Sequence, residues 1–280
     1  MWDVTAEDRA VMGVDVLRRL GELSGVQTWP VVLDIRTAHE GVRELADANA
    51  AADGELADLG IIREAGEPVA WAAVALRVLA AADRQIEIRT VRSAGLSSSE
   101  PGIPQMRRIC LARNGHDHVL ARRDGATVDV RTINVTSEGD VATTIARELD
   151  EQTPRAAFAA FGAPADELAA RLSGCATAQD AADALHALGA PGSDAVAIAS
   201  ALMSCHSRSE IVAISRSDGV STQSSGAVAV FDTERGRIVA SPSKSPDGRV
   251  WTTLSPGGGH RIGQAIGLLI ETLPEGRWMP

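Results

Sequence analysis

The residues best placed to do chemistry in this chain form four small groups. Ser255-Pro256-Gly257-Gly258-Gly259 stands just ahead of a predicted helix, where free backbone amides can hold an anion. The segment has neither the spacing of a phosphate-binding P-loop nor that of a dinucleotide fingerprint. The simpler reading is a strand-to-helix turn that needs glycine for its backbone angles. His116-Asp117-His118 is the one metal-like cluster, and strand alternation would put both imidazoles on one face. No third ligand stands nearby, and the cluster follows Asn114-Gly115 in a predicted tight turn, where polar residues are solvated. Cys205-His206 could pair a thiol with a base, but Cys205 also continues the apolar helix face of Val196, Ala199 and Met203. Glu148, Asp150 and Glu151 sit at a helix end and read as a solvated face. No serine lies in a nucleophile elbow. The expectation is therefore no catalytic residue, no cofactor and no metal. A small-molecule or anion-binding enzyme built on the turn at 255–260 is the alternative.

Composition narrows the partners. The 280 residues are 45% hydrophobic and 23% charged, which is globular usage and enough chain for a large core. A net charge of −10 argues against nucleic acid or an anionic membrane as the main partner. No apolar run approaches the roughly 18 residues of a membrane span, and the acidic N-terminus lacks the apolar core of a signal peptide. Cys110, Cys175 and Cys205 lie far apart with no Cys-x-x-Cys, which predicts free thiols in a reducing, cytoplasmic setting. One lysine among 27 basic residues, with no tyrosine, indicates a GC-rich genome.

The elements that must position any site can be read from periodicity. Apolar residues at Val11, Val14, Leu17, Leu20 and Leu23 predict one helix over 5–25, capped by Thr5. A strand is predicted at 31–35, then helices over 40–59 and 69–82. Strands follow at 85–92, 106–113, 118–123 and 126–133, with Asn114-Gly115 and Asp124-Gly125 as hairpin turns, and a helix at 140–150. The polar stretch 93–105 reads as a loop. The second half repeats this order. Helices at 165–172, 178–188 and 193–204 precede strands at 210–217, 226–232, 237–241 and 249–254, and a last helix spans 259–273. Leu56, Leu59 and Gly60 correspond to Leu185, Leu188 and Gly189, Asp124-Gly125 to Asp247-Gly248, and the strand isoleucines recur about 125 positions apart. The expected fold is α+β: one domain over 1–280, made of quasi-repeats at about 26–153 and 154–280. A central antiparallel sheet would be flanked by two helical bundles in a pseudo-twofold arrangement.

The C-terminal residues carry a resemblance. Glu210-Ile211-Val212-Ala213, Asp218-Gly219, Asp232-Thr233, Gly236-Arg237 and Ser241-Pro242-Ser243 resemble the EspG family of ESX secretion-associated proteins of mycobacteria and related actinobacteria. Asp247-Gly248, Ser255-Pro256-Gly257 and Leu273-Pro274-x-Gly276-x-Trp278 complete the pattern. In the first half, Trp29-Pro30-Val31-Val32-Leu33 and the run from Val119 to Gly125 resemble the family's first strand and hairpin. Coverage is essentially the whole chain, strongest after Ser209, with departures at Ala82 and Gly258, where relatives tend to carry Pro and Thr.

The resemblance implies a non-enzymatic cytosolic chaperone of type VII secretion. Its partner would be a PE–PPE heterodimer, clasped at the apolar tip of the PPE helices, with a weak homodimer as a secondary assembly. An exposed apolar helical tip aggregates, and a bound chaperone removes it from water. The surface implied is the central sheet, the loop 93–105 and the helix 193–204. Alternation in 210–217 separates Ile211, Ala213 and Ser215 from Val212, Ile214 and Arg216. Val212 and Ile214 are expected to face the core, leaving the face with Ser215 for the partner. The partner-binding residues expected on this basis are Arg92, Ser93, Leu96, Ser98, Ala197, Ala201, Ser215, Ser217, Thr222, Gln223 and Ser225.

Overall fold

The computed structural model of this chain describes residues 8–63, 66–92, 105–149 and 152–280. The first described element is strand β1 (Arg9–Gly13), which runs straight into helix α1 (Val14–Leu23). The single helix predicted over 5–25 is thus divided, because Arg9–Gly13 pairs antiparallel with residues 127–131 and drops Ala10 and Met12 into the core. Thr5, the expected cap, lies outside the described residues. The strand predicted at 31–35 is a short 3₁₀ turn, Val31–Leu33, closed by Asp34 at φ 52°. Pro30 has no amide for a ladder, yet Val32 and Leu33 still bury their side chains in the core.

Helices α2 (Val42–Asp58) and α3 (Ala70–Ala80) follow, then a meander of β2 (Arg84–Arg92), β3 (Gln105–Asn114), β4 (Asp117–Asp124) and β5 (Thr127–Ile133). Gly115 and Gly125 turn two of its hairpins at positive φ. Helix α4 (Glu138–Glu148) starts in a capping box, in which Ser137 accepts from the Asp140 amide and Asp140 from the Ser137 amide. The second half contains β6 (Phe161–Pro164), α5 (Ala165–Leu172), α6 (Ala178–Ala187) and α7 (Gly192–Met203). It continues through β7 (Cys205–Ser217), β8 (Val220–Gln223), β9 (Val228–Thr233), β10 (Ile238–Lys244), β11 (Val250–Pro256) and α8 (Gly259–Glu271). Strands β6 and β8 carry no periodicity of their own at four residues each and are additions to the sequence reading.

The eleven strands of the described residues join one antiparallel sheet in the order β1-β5-β4-β3-β2-β7-β9-β10-β11-β6, with β8 paired to β7. Three apolar clusters hold it. One joins α1, α2 and α3 to Cys110, Ala112, Val119, Ala121, Val128 and Val130 of β3–β5. A second joins α5, α6 and α7 to Phe161, Ile238, Ala240 and Leu254. The third lies on the other face, where α4 and α8 pack together over Ile86, Ile88, Ile211, Ala213, Val228 and Val230. The middle strands β2 and β7 contribute buried apolar residues to this third cluster alone.

Candidate functional site

Strands β2 and β7 run antiparallel through nine paired positions, from Arg84↔Ser215 to Arg92↔Ser207. Side chains alternate, so turning Ile86, Ile88, Ile211 and Ala213 toward α4 and α8 turns Glu87, Arg89, Glu210, Val212, Ile214 and Arg216 the other way. On that side, α1–α3 cover β3–β5 and α5–α7 cover β10 and β11, which leaves the two central strands between them. Glu87 and Val212 form a buried floor, while Arg208, Glu210 and Arg216 are exposed and Arg89, Val91, Ile214 and Phe231 are half-buried. Met106, opposite Val91, and Val196 and Met203 of α7 are exposed apolar residues. Apolar residues set among charges of both signs suit docking of another protein.

The expected face assignment within β7 is reversed. Ser215 is 5% exposed and sits on the side facing α8, whereas Val212 and Ile214 belong to the open side. The physical reason is that only the side of β2 and β7 under α4 and α8 is covered by helices, and it takes Ile211 and Ala213 together with Ser209 and Ser215, which share their phase. Thr90 and Ser209 meet there through a 2.8 Å hydroxyl–hydroxyl hydrogen bond, so a serine-rich strand can be buried at little cost. Thr222, opposite Ser215, and Arg92, opposite Ser207, share that side, while Gln223 lies opposite Ile214 on the open side. Ala201 is 1% exposed within the α5–α7 cluster, and Ala197 is half-buried. Ser217 and Ser225 are exposed, the Ser225 amide donating to Thr272 Oγ1 at 3.3 Å beside the end of α8. Ser93, Leu96 and Ser98 lie outside the described residues. The expected set is therefore spread over both faces and not gathered into one patch. Glu210, Arg89 and Ile214 line the open side instead, at the positions that strand alternation gives when read with the opposite phase.

Beside the open face, a cleft of about 820 Å³ is lined by Arg92, Met106, Arg107, Arg108 and Arg123. Arg107 donates to Asp124 at 2.8 Å, Arg108 to Asp34 at 3.3 Å, and Arg123 to the Leu33 carbonyl at 2.9 Å. Burial, then repulsion from Arg108, lowers the pKa of Arg123. The cleft gives this acidic chain a local cationic rim.

The other chemical candidates resolve into structure. The Gly257 amide already donates to the Arg237 carbonyl at 2.7 Å. A side chain at Gly257 would strike the Arg237 stem, 2.9 Å from Cδ and nearer to Cγ, so glycine serves close packing there. His118 is buried, with Nδ1 2.9 Å from the His116 carbonyl and Nε2 3.1 Å from the Trp278 indole nitrogen. His116 is exposed in the turn that precedes β4, so the expected strand alternation does not extend to it. Among the described residues no group of three His, Cys, Asp or Glu could hold a metal. Burial raises the Cys205 pKa, the opposite of an activated thiol, and its Sγ donates to the Ser207 carbonyl at 3.3 Å. Glu148 is not on a solvated face: its carboxylate is buried against Arg131 and Arg122. All three cysteines are unpaired. No helix among the described residues is long and apolar enough to cross a membrane.

Comparison with known proteins identifies the family. The EspG family model matches residues 14–267, and the chain belongs to that family. The ESX-3 secretion-associated protein EspG3 of Mycolicibacterium smegmatis is 26% identical over 261 residues, covering 93% of this chain and 86% of that protein. The ESX-1 secretion-associated protein EspG1 of Mycobacterium marinum is 28% identical over 254 residues, covering 90% and 84%. The fold matches that of the Mycobacterium tuberculosis type VII secretion system chaperone EspG5, solved in complex with a PE25-PPE41 dimer. The TM-score is 0.79 at 19% identity, over 96% of this chain and 98% of that one.

Proposed function

We propose that this EspG-family chain is a cytoplasmic, non-enzymatic chaperone of type VII secretion that captures a PE–PPE heterodimer at the tip of its PPE helices. The observation that carries the reading is the open face of β2, β7 and β9, where Val212, Ile214 and Phe231 lie among Arg89, Arg208, Glu210 and Arg216 between two sets of helices. A helical tip fits a trough of this kind, with apolar rows for its buried side chains and charges to set register. EspG5 was solved with a PE–PPE dimer, and its fold spans nearly the whole of this chain.

The two halves are read as quasi-repeats of one folding unit. Support comes from the mirrored strand order about the β2–β7 pair and from the same succession in each half: edge strand, helices, meander, helix. The nine-residue ladder between β2 and β7 would be cut by separating the halves.

The test is co-expression with candidate PE–PPE pairs followed by pull-down. Glu210→Arg, at an exposed position, is expected to abolish capture while the melting temperature stays within about 2 °C. Undiminished capture by Glu210→Arg and by Ile214→Asp would place the docking surface elsewhere.

A further inference from the structure

The last residues of the chain return to the first half of the fold. Trp278 is 0% exposed and seated in the cluster beneath α4 and α8. Its indole N–H meets Nε2 of His118 on β4 at 3.1 Å, and its amide donates to Glu138 of α4 at 3.2 Å. Its carbonyl accepts from Arg113 of β3. Three residues earlier in the same tail, Glu275 pairs with Arg84 of β2, and the Arg277 carbonyl lies 3.5 Å from Arg84 Nε.

These contacts select one form of His118. Nδ1 faces the His116 carbonyl, which can only accept, so Nδ1 carries the proton. Nε2 is then bare and accepts from the indole, which can only donate. A second proton on the ring would set an N–H against an N–H. The geometry points to an acid-sensitive clasp: residues 274–280 are held closed by neutral His118 and released as a local unit when that imidazole is protonated.

The groups around the imidazole agree with this. On β3, Arg113 repels a cationic ring and is itself held by Asp83 at 2.8 Å. Asp117 on β4 is engaged by Arg77 of α3 at 2.6 Å, and Asp83, ahead of β2, also accepts from the Gly115 amide at 3.1 Å. Glu138, from α4, is occupied by the Trp278 amide. Asp83 and Asp117 favour the cation, but burial outweighs them and moves the His118 pKa below its ordinary value. The clasp is therefore closed at neutral pH and opens on acidification, with the midpoint below that of a free imidazole.

The test is hydrogen exchange of the 280-residue chain, corrected for intrinsic rates, between pH 7 and pH 5. Amides of 275–279 are expected to lose at least tenfold protection across this range while β2 and β3 keep theirs. His118→Gln, which cannot titrate, is expected to flatten that dependence. An unchanged loss in His118→Gln would assign the effect to Glu138, Glu275 or Asp83 and overturn the proposal. So would a pH-independent tail, or a tail that opens only together with the sheet. Should His118→Gln not fold, nitrogen-15 imidazole spectra of the natural chain decide: the Nδ1–H tautomer at pH 7 supports the clasp, and the Nε2–H tautomer or a cation overturns it.

Discussion

Arg237 and Gly257 are packed so closely that the glycine has no room for a side chain. A Cβ there would stand 2.9 Å from Arg237 Cδ, and the Gly257 amide donates to the Arg237 carbonyl at 2.7 Å. The guanidinium is 0% exposed, with Nε 2.5 Å from Asp232 Oδ1 and Nη2 bonded to the Leu149 carbonyl and to Thr153 Oγ1. The glycine-rich turn and the buried arginine are thus one device, tying β10 and the start of α8 to the segment after α4.

Gly257→Ala is expected to destabilise the fold by about 1–3 kcal/mol, because the Arg237 stem must shift in a filled site. Arg237→Leu should cost about 3 kcal/mol by leaving Asp232 and two main-chain or hydroxyl acceptors without their donor. Urea unfolding with an unchanged m-value would measure both. A cost under about 0.5 kcal/mol for both variants would mean the turn repacks freely.

Ser215→Arg is a folding variant and not a binding variant. Ser215 is buried between β2 and β8 on the side facing α8, so a guanidinium there displaces core groups. The expected result is a melting temperature lowered by several degrees, or insoluble protein, whether or not a partner is present. A well-folded Ser215→Arg variant would show that this face opens.

Glu87 carries a pH signature. It is 3% exposed, Oε1 has no hydrogen-bond partner among the described residues, and burial raises its pKa despite Arg89 and the Val32 amide. A carboxyl whose folded pKa is raised binds its proton more tightly in the native state, so stability falls as pH rises through the folded value. Glu87→Gln is therefore expected to stabilise the protein at pH 7, and the gain should shrink as pH falls to 4.5 and the native carboxyl takes up its proton. Denaturation midpoints at the two pH values would check this, and an equal effect at both would count against a buried, strained carboxylate.

The three thiols should react in a fixed order. Cys110 is fully buried beside Glu87, and burial followed by the Glu87 charge holds its pKa well above the ordinary thiol value. Cys175 and Cys205 are partly accessible. Alkylation of the native protein should modify Cys175 and Cys205 first, and Cys110 only at the rate of unfolding. Mass spectrometry against time reads the order, and early labelling of Cys110 would contradict the packing of β3 under α1–α3.

Elements whose signals are local are legible from the residues alone. The helices at α2, α3 and α5–α7 follow from a 3.6-residue apolar period, and the turns at Gly115 and Gly125 from Asn-Gly and Asp-Gly, because periodicity and positive φ are properties of neighbouring residues. The family was legible for the same reason, since its motifs are short runs such as Ser255-Pro256-Gly257. What needed tertiary structure was every choice between two locally equal options. Residues 9–13 can be helix or strand, and only the β5 edge decides for strand. In β7, Ile211 and Ala213 compete with Val212 and Ile214 for the core on nearly equal terms, and a strand's period of two cannot say which face is buried. The packing of α8 across the sheet settles it, and with it moves the candidate site from Ser215 to the Glu210 side. The seat of Trp278 on His118 was beyond any local signal as well, because 160 positions of chain separate the two residues and only the folded sheet brings them together.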